Sequence, residues 1–143
     1  MKMREILFRG KWIDNGEWVE GAFLNDRDGA FYICHAVSDI SYGDGGNRRR
    51  IGCWYKVGPS TVGQFTGLTD KNGKRIFEGD VARCGTGRIC KVTFFISPGA
   101  SCFDLVPVGG FNSPPPRKWS LFSDTEVIGN IHDNPELLEA PDA

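Results

Sequence analysis

No apolar run in this 143-residue chain approaches the roughly 20 residues that a helix needs to cross a bilayer, so a membrane-spanning helix is not expected. The opening MKMREILFRGK offers only Ile6, Leu7 and Phe8 between Glu5 and Arg9, too little apolar length for a secretory leader. A cytoplasmic location is the expectation. An excess of one charge is missing too. Seventeen Lys and Arg against eighteen Asp and Glu leave a net charge of -1, neither the basic excess of a typical nucleic-acid binder nor the dense acidity of a phosphate mimic. Metal-type spacing is also lacking. The five cysteines are odd in number and include no CxxC pair, and there are only two histidines, which argues against both a disulfide framework and a structural zinc site. No cofactor and no metal are expected.

Glycine and aromatic residues are what the chain does have. Nineteen Gly and eight Pro would interrupt long helices repeatedly, since Gly loses most backbone freedom in a helix and Pro lacks the donor. Hydrophobic residues at 40% and aromatics at 12% are enough to offset the entropy of ordering the chain. Short apolar stretches, Ile6 to Arg9, Trp18 to Leu24 and Ala30 to Cys34, are separated by Asp14-Asn15-Gly16 and Asn25-Asp26-Arg27-Asp28-Gly29. Such turns tolerate positive φ, so the stretches read as strands of hairpins. Asp39 to Arg50 reads as an exposed loop, and Ile51 to Val57 as a strand with Cys53, Tyr55 and Val57 on one face against Trp54 and Lys56. Further strands are expected at Val81 to Cys84, Arg88 to Ile96, Cys102 to Val108, Trp119 to Phe122 and Val127 to Ile131. In the second of these Cys90, Val92, Phe94 and Ile96 share a face. Pro114-Pro115-Pro116 sets an extended loop from Gly109 to Lys118. Asn134-Pro135-Glu136 resembles a helix start, with Asn as N-cap. The expected fold is mainly β: one domain over 1–143, with an N-terminal β lobe (1–58), a small, partly closed, SH3-like barrel in 59–143 and a short C-terminal helical turn.

Three blocks carry a resemblance. They are Arg4 to Arg9, Gln64-Phe65-Thr66-Gly67-Leu68-Thr69-Asp70-Lys71-Asn72-Gly73-Lys74-Arg75-Ile76-Phe77-Glu78-Gly79-Asp80-Val81, and Glu126-Val127-Ile128-Gly129-Asn130-Ile131-His132-Asp133-Asn134-Pro135-Glu136-Leu137-Leu138. In order and spacing they resemble the YopX family of proteins encoded mainly by bacteriophages and prophages. The resemblance implies a β-rich fold and a phage or prophage origin, and carries no catalytic residues to transfer.

Each polar cluster has a structural reading. Gly67, Gly73 and Gly79 with Asp70, Asn72 and Asp80 are turn formers, and the segment lacks the ligand spacing of a calcium loop. Cys34-His35 and His132-Asp133 supply the residue types of a thiol triad, but Cys34 ends an apolar strand and no helix N-terminus is predicted to activate it. No catalytic residue is assigned. The candidate binding residues are Arg48, Arg49 and Arg50 with Trp54, because guanidinium groups neutralise phosphates and an aromatic face stacks on bases. The function expected from these features is that of a non-enzymatic phage accessory protein binding a macromolecule, a protein first, with single-stranded nucleic acid as the alternative and a thiol-dependent enzyme as the third reading. Self-association through exposed strand edges is a further expectation.

Overall fold

The structure, a computed structural model, describes residues 5–35, 41–42, 49–50, 54–85, 87–108 and 124–139. Among these there are twelve strands and no α-helix. In chain order they are β1 (Phe8–Lys11), β2 (Trp18–Asn25), β3 (Phe31–His35), β4 (Ser41–Tyr42), β5 (Arg49–Arg50), β6 (Trp54–Val57), β7 (Gly63–Thr69), β8 (Arg75–Phe77), β9 (Asp80–Arg83), β10 (Ile89–Ser97), β11 (Ala100–Pro107) and β12 (Glu126–Asn130). The chain divides into two compact units, Met1–Gln64 and Phe65–Ala143. The expected strand at Trp119 to Phe122 and the proline loop lie outside the described residues.

In the first unit the strands run β6-β3-β2-β1, all antiparallel. Alternation sorts the side chains: Ile33 and Val57 are buried on one face, Trp54 and Lys56 are exposed on the other. This is the two-faced pattern that the sequence of β6 predicts. Phe23 links the aromatic row on the inner face, with ring centroids 5.4 Å from Phe8 and 5.1 Å from Phe31. The end of β1 returns to β6. Trp12 bridges Val57, Ile13 N donates to Lys56 O at 3.0 Å and Gly58 N to Lys11 O at 3.0 Å. Gly10 makes this approach workable, because a Cβ there would sit 2.9 Å from Val57 Cβ. The expected loop at Asp39 to Arg50 contains a short paired ribbon instead, Ser41–Tyr42 with Arg49–Arg50.

In the second unit β11-β10-β9-β12 form an antiparallel sheet, and β7 pairs with β8 through Phe65 and Phe77. The core is Ile76, Cys90, Val92 and Leu105, with Leu68, Cys84 and Val127 packed against it. The partly closed barrel expected over 59–143 is not what the described residues form. The four-stranded sheet is open, ending in β11 on one side and β12 on the other. The physical reason lies in β10 and β11: they pair with each other over eight positions, but β9 meets β10 only at Ile89, Cys90 and Lys91. The hairpin therefore runs past the sheet. The helix start at Asn134 is also revised: Pro135–Leu138 is a 3-10 turn, and Asn134 makes no capping bond. Its Oδ1 accepts from Asn130 N at 3.2 Å, tying the side chain back to β12, while its Nδ2 donates to Glu136 Oε1 at 3.4 Å.

Candidate functional site

The hairpin between β1 and β2 builds a concavity in the first unit. Trp12 N donates to Glu17 O at 2.9 Å, Gly16 N to Trp12 O at 2.8 Å and Glu17 N to Asn15 Oδ1 at 2.9 Å. Gly16 adopts φ 75°, the conformation that the Asp14-Asn15-Gly16 sequence foreshadows. This turn fixes Trp12 and Glu17 at the mouth of a pocket of about 380 Å³, lined by Trp12, Glu17, Trp18, Val19, Glu20 and Tyr55. Tyr55 reaches it from β6 and packs edge-on against Trp12, ring centroids 4.9 Å apart.

Glu17 and Glu20 bring two carboxylates to the lining, and β1 brings two cations to one of its rings. Arg9 is buried, with its guanidinium 4.6 Å from the centre of the Trp18 ring, and Lys11 Nζ lies 5.5 Å from the same ring. Trp18 is thus engaged by two cations of the chain itself. The remaining aromatic surface belongs to Trp12 and Tyr55, beside the exposed carboxylate of Glu17. The Trp12 and Tyr55 rings beside that carboxylate suit a cationic or hydrogen-bond-donating side chain.

The sequence-derived residues fall elsewhere. Trp54 is 42% exposed on β6, opposite Cys34, and shares its face with Lys56. Arg49 and Arg50 form β5, and Arg48 lies outside the described residues. Trp54 does not line the pocket. The pocket residues Trp12, Glu17 and Tyr55 went unselected because, 43 residues apart at the extremes, they converge only through the return of β1 to β6. The thiol-triad residues find other employment: Cys34 is buried in β3, while Asn130 Oδ1 accepts from the backbone N–H groups of His132 and Asp133.

In the second unit the distinctive middle and closing segments meet. Asp70 Oδ1 accepts from Asn72 N and Lys74 N, both at 2.9 Å, and Oδ2 from Val127 N at 2.9 Å. Lys71 N donates to Thr125 O at 3.0 Å. Gly79, at φ 91°, donates to Val92 O and accepts from Ile131 N, each at 2.9 Å. Asp80 Oδ2 closes its own turn by accepting from Phe77 N at 2.8 Å. Every one of these polar groups serves the backbone, and among the described residues no cluster of three or more His, Cys, Asp or Glu could hold a metal ion.

Two open antiparallel β units, tied internally by turn carboxylates and carrying an aromatic pocket, define a mainly β protein. The family model for YopX protein matches residues 7–139, and the chain belongs to the YopX family. A crystal structure of protein EF1440 from Enterococcus faecalis is similar, with a TM-score of 0.60 at 26% identity, covering 96% of this chain and 100% of that one. No curated protein matches the chain. No helix among the described residues is long and apolar enough to cross a membrane.

Proposed function

We propose that this protein is a non-enzymatic accessory module of a bacteriophage or prophage that binds a protein partner by seating one of its basic side chains in the Trp12–Tyr55 pocket. The observation that carries this is the lining: two aromatic rings in edge contact beside the Glu17 carboxylate. Backbone hydrogen bonds and the bridge to Val57 hold the rings in place before any ligand arrives, which lowers the cost of binding. Tryptophan fluorescence titrated with the peptides Gly-Arg-Gly and Gly-Glu-Gly tests it. The Arg peptide is expected to change the emission saturably, the Glu peptide not, and Trp12→Ala to abolish the response. Equal responses to both peptides would refute the reading.

A second reading, single-stranded nucleic-acid binding, draws on Trp54, exposed beside Lys56 on the outer face of β6. It predicts retention of oligo(dT) that falls steeply with salt and is lost in Trp54→Ala. No retention at low salt would end it.

A further inference from the structure

Cys84 and Cys90 stand six positions apart, on the two arms of the β9–β10 hairpin. The turn is closed by Gly87 N donating to Cys84 O and Cys84 N to Arg88 O, both at 2.8 Å. Because Arg83 pairs with Ile89, and Cys84 is bonded to Arg88, Cys84 and Cys90 are diagonal neighbours on one face. Their Sγ atoms lie 3.2 Å apart and share a hydrogen bond. A disulfide bond is about 2.05 Å long, so roughly 1 Å of approach separates contact from bond formation. The two thiols differ in access. Cys84 is partly exposed beside the turn, whereas Cys90 is 2% exposed within the core of Ile76, Val92 and Leu105.

We propose that Cys84 and Cys90 form a redox-active dithiol site for small-molecule disulfides, with Cys84 as the attacking thiol and Cys90 as the resolving one. The Cys84 thiolate attacks one sulfur of the small disulfide, forming a mixed disulfide and expelling one small thiolate. Cys90, giving up its proton to that thiolate, then attacks Cys84 Sγ and expels the second small thiolate, which takes a proton from solvent. Two protein thiols are oxidised to one disulfide, and one small disulfide is reduced to two thiols.

The electrostatics match this division of labour. The hydrogen bond from Cys90 stabilises the Cys84 thiolate, burial opposes it and the Arg88 charge assists, with the net result that the Cys84 thiol is lowered to about 7. The same bond, burial and the charges of Cys84 and Asp104 raise Cys90, with Arg88 alone acting the other way. At neutral pH the accessible sulfur is therefore a thiolate for much of the time, while the buried one keeps its proton until the mixed disulfide forms.

The test is to incubate the native chain with oxidised glutathione at pH 7.5, quench in acid and map the products by peptide mass spectrometry. The expected product is a Cys84–Cys90 disulfide in wild type, a glutathione adduct on Cys84 in C90S, and an unmodified Cys90 in both C84S and C84A. Circular dichroism establishes that each variant is folded, and the two replacements at position 84 guard against one of them failing to fold. A second readout is the pH profile of Cys84 alkylation. Its midpoint is expected near 7 in wild type and displaced by a unit or more toward the 8.5 of an ordinary thiol in C90A, which removes the hydrogen-bond donor. The proposal is overturned if the folded chain forms no Cys84–Cys90 bond where the urea-unfolded chain does, if Cys90 reacts as fast without Cys84, or if C90A leaves the alkylation midpoint unmoved.

Discussion

At the scale of single residues, Asp70 in the second unit is 5% exposed and accepts three backbone hydrogen bonds. Burial by itself would raise its carboxyl pKa. The bonds from Val127, Lys74 and Asn72, with the Lys74 charge, outweigh burial and hold the group below its ordinary value. A depressed folded-state pKa means that the stabilisation is present above the unfolded value and is lost as pH falls through the folded one. Asp70→Asn should therefore flatten the acid limb of a stability-against-pH curve. Asp70→Ala, which leaves buried N–H donors without their acceptor, should cost about 2–4 kcal/mol in urea unfolding. Gly129 is constrained differently. A Cβ there would collide with Asn134 Oδ1 and lie 3.0 Å from Leu137 Cδ1, so Gly129→Ala should destabilise by about 1–3 kcal/mol in the same assay. The turn role of Asp70 was legible, because Asx chemistry is local. Its second oxygen was not, since that bond spans 57 residues and no local pattern encodes it.

At the scale of elements, β10 shows how a correct face can carry two fates. Cys90, Val92, Phe94 and Ile96 share a side, as alternation predicts, yet their exposure climbs from 2% and 1% to 38% and 77% along the strand. The inner half packs on Ile76 and Leu105; the outer half belongs to the hairpin beyond β9, where Phe94 meets Phe103 with ring centroids 5.0 Å apart. Val92→Ala should accordingly cost about 1–3 kcal/mol, whereas Ile96→Ser should stay within about 0.5 kcal/mol, as compared by urea unfolding. Equal losses at the two positions would contradict this division. Periodicity reports which residues face together but not where the neighbouring strand stops. The strand Gly63–Thr69 escaped the sequence reading for a related reason. Its Gly63, Thr66, Gly67 and Thr69 look like turn residues, and its apolar members Phe65 and Leu68 do not alternate. A register shift between Phe65 and Thr69 accommodates that irregular spacing.

At the scale of the whole molecule, the middle and closing family blocks hold the second unit together, whereas the pocket proposed as a ligand site lies in the first unit. Val127 N on Asp70 and Ile131 N on Gly79 O join the middle block to the closing one, and Lys71 N on Thr125 O adds a bond just before it. The Lys71–Glu126 ion pair at 3.7 Å is exposed and adds little. Chemical-shift mapping distinguishes whether the aromatic pocket is a preformed seat for a basic side chain. In a ¹H–¹⁵N spectrum titrated with Gly-Arg-Gly, the account predicts saturable shifts at the Trp12 indole and at the backbone of Glu17 and Tyr55, little change in the second unit, and loss of those shifts in Glu17→Gln. Shifts centred on Trp54 and Lys56, or a spectrum that does not respond to the peptide, would contradict it.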